Sequence, residues 1–277
     1  MSPTLPGWKL IWSDEFSEPA GTLPNESRWN IINRAKKDNL NKEEQQYYIR
    51  DPWVSAHNGE ALEIKPQKNN GEWYSARIES WRTFACPEGK QMMIQANLRS
   101  GWNPYEQQAG IWPAFWTLGQ GLRENPKIEW PHCGELDIFE SGHGMDWMLG
   151  ILHYGNVGQD PSSNGVGNGN HKYNRYDFNE FAVKINRVPS DWKNQSISFI
   201  HNGAVYHTVY GRDVTGRNES EGVRHVFWQR LAHWPLFIVL NVAVGSSFPG
   251  AGQPNDQTAS GSGSGLTIKY VAVYESN

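Results

Sequence analysis

Short segments in which apolar and polar residues alternate recur along most of the 277-residue chain. A period of two is typical of a β-strand that has one face in a core. Clusters of Gly, Asn and Pro separate these segments, as turns separate strands, and helical periodicity is scarce. The predicted strands are residues 8–12, 61–64, 74–81, 147–154, 181–185, 196–201, 204–209, 236–244 and 266–274. The pattern predicts an all-β sandwich that occupies residues 1–277 as a single domain.

The turn residues predict how some of these strands are arranged. The segment 61–64 is followed by Pro66, which favours an edge strand because proline lacks one backbone donor. Residues 202–203, Asn-Gly, predict a tight hairpin between their flanking strands. The last strand, 266–274, is expected to close a sheet with the N-terminal strand. The strand 147–154 is expected to pair with the acidic segment described next.

The segment 130–141, W-P-H-C-G-E-L-D-I-F-E-S, interrupts the alternation. Strict alternation places its aliphatic residues in the core and Glu135 and Asp137 on the opposite face, but it returns Glu140 to the core face. One extra residue near positions 138–139, a β-bulge, would bring Glu140 to the face of the other two acids. Neighbouring acids repel each other and do not favour stability. The pattern therefore predicts a bulged strand with three functional carboxylates.

Three carboxylates on one face suit acid–base chemistry. On such a strand the Cα atoms of Glu135 and Glu140 are roughly 13 Å apart. Their side chains can lean together towards the separation of about 5–5.5 Å that a retaining glycosidase uses. Asp137 between them can keep the two glutamate pKa values apart. A metal site is the alternative, but calcium usually takes six or more oxygen ligands and the flanking sequence supplies few. No metal or cofactor is expected.

Tryptophans near the acidic segment are candidates for sugar binding. The segment 110–119, G-I-W-P-A-F-W-T-L-G, places Trp112 and Trp116 on either side of Pro113. Proline does not fit a central strand, so this segment is predicted to form the rim of a cleft. An indole offers a flat apolar face to a sugar ring and an N–H to a hydroxyl. Trp130 is a further candidate, and core positions remain the alternative for all three.

Two polar residues and one loop complete the candidate cleft. Arg77, in the strand 74–81, is either a solvated strand charge or a group that faces a cleft. His153, in the strand 147–154, faces either the core or the acids, and its place beside the acidic segment favours the acids. The Gly-, Asn- and Ser-rich loop 155–170 is predicted to be a mobile border of the cleft.

Composition and charge exclude several classes of protein. The net charge is -4 and only 19% of the residues are charged, so no basic patch indicates nucleic-acid binding. No apolar run approaches the roughly 20 residues of a membrane span. No apolar targeting segment precedes residues 8–12, which indicates either an intracellular protein or one whose signal has been removed; we expect an extracellular location. Cys86 and Cys133 could form one disulfide or be two buried thiols.

Taken together, the motifs resemble glycoside hydrolase family 16, in its laminarinase-like branch, over nearly the whole chain. Residues 8–16 resemble the opening W-x-L-x-W-S-D-E-F, and residues 110–119 resemble G-x-W-P-A-F-W-x-L-G. Residues 130–140 resemble W-P-x-x-G-E-[IL]-D-I-x-E, and residues 240–250 resemble L-N-x-A-V-G-G-x-x-P-G. Members with the spacing E-x-D-x-x-E carry the bulge and are typically endo-β-1,3- or β-1,3(4)-glucanases.

The resemblance implies a β-jelly-roll sandwich of two antiparallel sheets whose concave sheet forms an open groove. It implies that Glu135 is the nucleophile, Asp137 the assisting acid and Glu140 the general acid/base. It also implies five residues that line the sugar subsites: Trp112, Trp116, Trp130, Arg77 and His153. The expected activity is that of a retaining endo-β-1,3(4)-glucanase, a monomer whose partner is a β-glucan polysaccharide.

The chain departs from the family pattern at three positions. Glu43 stands where similar laminarinases have Asn, which leaves the contacts at the far end of the groove open. Lys269 replaces an Asp that often helps to bind calcium, and an ammonium there would repel the cation. Ser246 replaces a glycine. Two other functions remain open: a family 16 enzyme of other specificity, such as a β-1,3-galactanase or transglycosylase, and a non-catalytic glucan-binding protein, although proteins of that kind lose the catalytic acids.

Overall fold

A computed structural model describes residues 1–39, 41–125, 128–156, 165–214, 219–246, 248 and 250–277. In this part of the chain the strands are β1 (Trp8–Asp14), β2 (Trp29–Ile31), β3 (Gln46–Tyr48), β4 (Ser55–His57), β5 (Leu62–Ile64), β6 (Gln67–Asn69), β7 (Glu72–Ser75), β8 (Arg77–Ser80), β9 (Gln91–Ser100), β10 (Ile111–Gly119), β11 (Glu135–Glu140), β12 (Trp147–His153), β13 (Gly165–Lys172), β14 (Asn179–Asn186), β15 (Ser196–His201), β16 (Ala204–Tyr210), β17 (Leu236–Val244) and β18 (Leu266–Ser276). The prediction of an all-β protein is confirmed.

The strands form two large antiparallel sheets and one small sheet. The first large sheet has the order β16-β15-β14-β9-β18-β5-β4, and β1 also pairs with β18. The second has the order β13-β12-β11-β10-β17-β8-β2. We call it the groove sheet because β11, the strand with the three acids, lies near its middle. Strands β3, β7 and β6 form the small sheet.

The core lies between the two large sheets. Phe139 of β11 and Phe181 of β14 have ring centroids 4.6 Å apart, and both side chains are fully buried. Leu136 and Phe115 of the groove sheet belong to the same buried cluster as Ile94 of the opposite sheet. Burying one such side chain contributes about 1.5–3 kcal/mol. The apolar half of the alternation therefore fixes which face of β11 turns inward and leaves the acids on the outer, concave face.

Several predicted pairings are confirmed. Strand β12 pairs with β11, β18 pairs with β1, and β15 and β16 form the hairpin at residues 202–203. The prediction of an edge strand at residues 61–64 is wrong, because β5 lies between β18 and β4. Pro66 follows the strand and therefore removes no donor from it.

The prediction that Pro113 excludes a central strand is also wrong. Strand β10 contains Pro113 and lies between β11 and β17. The pairing of β10 with β11 begins only at Ala114 and Glu140, and the carbonyl of Pro113 still accepts a hydrogen bond from the Ser141 N–H at 3.3 Å. In an antiparallel pair, a residue directs its N–H and its C=O to the same neighbouring strand. The N–H that Pro113 lacks would therefore point towards Ser141, just beyond the last residue pair between β10 and β11. The strand therefore tolerates the proline.

The predicted strand 74–81 is two strands. The chain leaves the small sheet after β7 and enters the groove sheet at β8, with Ala76 at the crossing. Ala76 and Ile78 join the core, whereas Arg77 and Glu79 lie on the concave face. Alternation does not reveal the crossing, because the side-chain period is unchanged when a strand changes partners.

Two α-helices occur in the described ranges, α1 (Gly121–Glu124) and α2 (Glu221–Ala232), and no helix there is long and apolar enough to cross a membrane. The sequence analysis did not predict α2. Its local signal is Ser220, whose hydroxyl accepts a hydrogen bond from the Val223 N–H as an N-cap, but Gly222 weakens the helical pattern.

Two further predictions concern the loop 155–170 and the cysteines. Residues 157–164 of the loop lie outside the described residues, and its remainder includes the start of β13. Both Cys86 and Cys133 are buried free thiols, so the disulfide alternative is wrong. Burial raises the pKa of each thiol to about 12, which makes both unreactive.

Candidate active site

The predicted bulge in β11 is confirmed by its register with both neighbours. Against β10, Phe139 faces Phe115 whereas Asp137 faces Trp116, which leaves Ile138 unpaired. Against β12, the register also shifts between Asp137 and Glu140. Ile138 and Phe139 both join the core. The extra residue thus returns Glu140 to the face of the other two acids.

The register places each acid beside a known neighbour on the concave face. Glu135 lies between Leu118 of β10 and His153 of β12. Asp137 lies beside Trp116, and Glu140 lies beside Ala114. The three carboxylates therefore form one row along β11, with Asp137 in the middle. The alternative that His153 faces the core is wrong.

Two tryptophans each hold one of the outer carboxylates. The indole N–H of Trp130 donates to Glu135 Oε2 at 3.0 Å. The indole N–H of Trp112 donates to Glu140 Oε1 at 3.0 Å. Trp130 is 39% exposed and Trp112 is half-buried, so both rings also reach the groove surface. These contacts favour the cleft interpretation over the core interpretation for both residues.

The imidazole of His153 lies beside two of the acids. Its Nε2 lies 3.2 Å from Asp137 Oδ2 and 4.0 Å from Glu135 Oε1. A positive charge on this ring would lower the pKa of both Glu135 and Glu140. The imidazole therefore helps to determine where the negative charge of the row resides.

Burial controls the protonation of the row. Burial, followed by the charge of Asp137, raises the pKa of Glu135 well above its usual range. The same two causes raise the pKa of Glu140 to about 8. Burial also raises the pKa of Asp137. Because the three groups repel one another when ionised, the row holds fewer than three negative charges near neutral pH.

Glu135, Asp137 and His153 also have the spacing of possible metal ligands, with one ligand atom from each lying within 4.8 Å of the others. Two carboxylates and one imidazole are fewer than the six or more oxygen ligands that calcium usually takes. At Lys269, where an acid often helps to bind calcium in similar enzymes, the ammonium lies 4.1 Å from the centroid of the Phe178 ring. This stretch of β18 offers a cation in place of a ligand.

Trp116 and Arg77 form a layered contact further along the concave face. The guanidinium of Arg77 lies 4.7 Å from the centroid of the Trp116 ring, and both residues are buried. The interpretation of Arg77 as a solvated charge is therefore wrong. The indole N–H of Trp116 donates to Asn241 Oδ1 at 2.7 Å, and Asn241 Nδ2 donates to the Tyr48 hydroxyl at 3.1 Å.

Sequence reasoning did not single out Asn241, Tyr48 or Glu79 as site residues. The sequence did contain an indication for two of them. Asn241 lies in the L-N-x-A-V-G motif, and Tyr48 lies in the E-E-Q-Q-Y-Y segment. Glu79 accepts hydrogen bonds from Arg77 at 2.8 Å and from Arg123 at 2.7 Å. Its partner Arg123 comes from α1, 44 residues away, and no local pattern indicates such a contact.

Aromatic rings also flank Glu140. Phe248 stacks on Trp112 with a centroid distance of 5.4 Å and on Trp147 with a distance of 6.2 Å. Because Trp112 holds Glu140, this stack fixes the indole that orients one carboxylate.

Known proteins resemble this chain over its whole length, although no protein-family model matches it. A glucan endo-1,3-beta-glucosidase of Cryptopygus antarcticus is 27% identical, with 91% of this chain and 86% of that protein covered. A crystal structure of an endo-1,3-beta-glucanase from Streptomyces sioyaensis has a TM-score of 0.86 at 27% identity, with 100% of both chains covered. A keratan-sulfate endo-1,4-beta-galactosidase of Sphingobacterium multivorum is 24% identical, with 97% of this chain and 55% of that protein covered.

The jelly-roll sandwich with its row of carboxylates defines a glycoside hydrolase. The resemblance predicted from the motifs is confirmed, because the relatives and solved structures that are similar to this chain are endo-1,3-beta-glucanases.

Proposed function

We propose that the protein is a retaining endo-glucanase that cleaves β-1,3-glucan, or mixed β-1,3/1,4-glucan, by double displacement. The observation that supports this most directly is the bulged strand β11, which places Glu135 and Glu140 on one face with Asp137 between them. The relatives named glucan endo-1,3-beta-glucosidase and endo-1,3-beta-glucanase support the substrate class.

In the first step, Glu140 is the general acid and Glu135 the nucleophile. Glu140, whose pKa of about 8 keeps it protonated at neutral pH, gives its proton to the glycosidic oxygen. The Glu135 carboxylate attacks the anomeric carbon, the bond to the leaving oxygen breaks, and a glycosyl ester forms on Glu135. The Trp130 N–H stabilises the attacking carboxylate, and its hydrogen bond lowers the pKa of Glu135 against the effect of burial.

In the second step, Glu140 is the general base. Its carboxylate takes a proton from water, the water oxygen attacks the anomeric carbon, and the ester bond to Glu135 breaks. The row of carboxylates regains its starting charge. Two displacements on the same carbon restore the β configuration.

Asp137 and His153 adjust the charge between the two glutamates. Asp137 raises the pKa of both glutamates through its own negative charge, whereas a cationic His153 lowers them. A proton shared between Asp137 and Glu135 would move fully onto Asp137 as Glu135 attacks, and His153 Nε2 lies 3.2 Å from Asp137 Oδ2.

The proposal extends to the five groove residues and to the setting of the enzyme. Trp112, Trp116 and Trp130 would contact sugar rings, and Arg77 and His153 would line the same subsites. An open groove on one sheet suits attack within a polymer. We further propose that the enzyme is a monomer and that it acts on its polysaccharide outside the cell.

The test is a digestion series with the wild type and Glu135→Gln. Proton NMR of the first product from laminarin should show the β-anomer, because an α-anomer contradicts retention. Wild type should release a ladder of oligosaccharides, and Glu135→Gln should release none while still binding the polymer. Equal release by the two proteins would contradict the assigned nucleophile.

The relative named as a galactosidase makes a second substrate class worth comparing. The same assay on laminarin, lichenan and β-1,3-galactan separates the classes. Cleavage of the galactan alone would overturn the glucan assignment and leave the double displacement intact.

A further inference from the structure

The concave face extends well beyond the catalytic row. From Glu140 on β11, the register continues to Ala114 on β10, Asn241 on β17 and Arg77 on β8. Neighbouring strands are about 4.8 Å apart, so Asn241 lies roughly 10 Å from Glu140 across the sheet. Side chains around Asn241 therefore face a part of the groove outside the position of the sugar under attack.

Two of the cations in this region already have a carboxylate partner. Arg77 contacts Glu79 Oε1 through its Nε and through one terminal nitrogen, each at 2.8 Å. Arg123 contacts Glu79 Oε2 at 2.7 Å. Arg77 also covers one face of Trp116. These contacts hold both guanidinium groups in place.

Arg34 is different. Its backbone pairs with that of Tyr48 through two hydrogen bonds, of 2.9 and 3.1 Å, and paired residues carry their side chains on the same face. The Tyr48 hydroxyl accepts from Asn241, so this face looks towards the groove. Arg34 is half-buried, and among the described residues no carboxylate oxygen lies within 4.0 Å of its guanidinium.

Glu44, an acid whose charge acts on Arg34, has other hydrogen-bond partners. Glu44 accepts a hydrogen bond from Gln46 Nε2 at 2.5 Å and one from the Asn41 N–H at 3.2 Å. Burial, followed by the charge of Arg77, lowers the pKa of Arg34, and the charges of Glu79 and Glu44 offset part of this effect. A partly desolvated guanidinium without a partner is unfavourable, and oxygen acceptors from a ligand would relieve this.

We propose that Arg34 is a further substrate-contacting residue, whose guanidinium donates hydrogen bonds to hydroxyl oxygens of a neutral glucan beyond the sugar under attack. The inference rests on the proposed function and deepens it. A guanidinium has five donors in a fixed plane, which suits the closely spaced hydroxyls of a sugar. The contact should tighten long substrates and leave short ones unaffected.

The test compares Arg34→Met, which keeps the length of the side chain and removes its donors, with Arg34→Lys and wild type. Substrates are laminarin and β-1,3-gluco-oligosaccharides of increasing length. For Arg34→Met we expect kcat/KM on laminarin to fall about 10-fold or more, the scale of a lost charged hydrogen bond. On the shortest cleaved oligosaccharide it should be unchanged, and Arg34→Lys should recover part of the loss. Arg212→Met, an exposed arginine beyond β16 of the opposite sheet, is the matched control and should match wild type.

The outcomes separate the inference from the proposed function. Unchanged kinetics of Arg34→Met on laminarin, or an equal loss at every substrate length with an unchanged Tm, would overturn the contact while the wild type remains a glucanase. A greater loss on carboxymethylated than on neutral glucan would overturn the choice of neutral hydroxyls. A wild type that cleaves no β-glucan would overturn the proposed function itself.

Discussion

Two buried glutamates on the concave face have opposite electrostatic surroundings. Glu79 is 6% exposed and Glu140 is 8% exposed, so burial alone would raise both pKa values. Around Glu79, the charges of Arg77 and Arg123 outweigh burial and hold its pKa below the usual range. Around Glu140, burial and the charge of Asp137 act together and raise the pKa to about 8.

The difference shows how one residue type serves two purposes on one sheet. A carboxylate between two guanidinium groups stays ionised and holds its neighbours in place. A carboxyl group beside another acid, with only a tryptophan N–H as its donor, keeps its proton near neutral pH and can transfer it. The environment, and not the degree of burial, separates a structural glutamate from a chemical one.

The largest effect is expected at the catalytic row. Glu135→Gln removes the nucleophile without changing its size, and we expect kcat to fall on the order of 10⁴-fold or more. Glu140→Ala should slow substrates with poor leaving groups most, and azide should restore part of its activity. Steady-state kinetics on laminarin and on an activated aryl glucoside measure both, and absence of azide rescue would contradict the acid/base role.

The next largest effect is expected on stability at Glu79. Glu79→Gln removes the carboxylate from the buried guanidinium of Arg77 and from the more exposed one of Arg123. Removing one partner of a buried pair costs about 3–5 kcal/mol. Chemical denaturation at pH 7 measures the loss in the free energy of unfolding. Glu63→Gln, on the opposite sheet, is a control expected near wild type; equal stability of the two variants would contradict the charge assignment.

Glu140→Gln should have the opposite effect on stability. The folded-state pKa of Glu140 is raised above its unfolded value, so its contribution favours the folded state below the unfolded pKa and is lost as pH rises through about 8. A neutral amide has no such loss. We expect Glu140→Gln to melt at a higher temperature than wild type at pH 8, and the difference to shrink towards pH 4. A variant less stable than wild type at both pH values would contradict this.

The smallest effect is expected from the Trp112 hydrogen bond. Trp112→Phe keeps an aromatic ring against Phe248 but removes the donor to Glu140, and that hydrogen bond lowers the Glu140 pKa. The alkaline limb of kcat/KM, expected near pH 8 in wild type, should therefore move to higher pH in the variant. Trp147→Phe, which keeps the same stack without touching an acid, should leave the limb in place.

The sequence was sufficient for the parts of the site that depend on one strand. The three acids and the bulge follow from the local pattern of residues 130–141, because side-chain faces are set by neighbours in the chain. The place of Pro113 in a central strand does not follow, since it depends on where the ladder with β11 ends. The ion pair between Glu79 and Arg123 joins two distant segments, and alternation contains no information about such partners.

The extra residue in β11 has a consequence for insertion and deletion. If Ile138 were removed, Phe139 would still face Phe115 and Glu140 would still face Ala114, and the ladder would become regular. The shortened strand, E-L-D-F-E, presents its acids outward by plain alternation. Two lengths of β11 are thus compatible with the same row of carboxylates. Deletion of Ile138 would keep that row and remove one aliphatic side chain from the core.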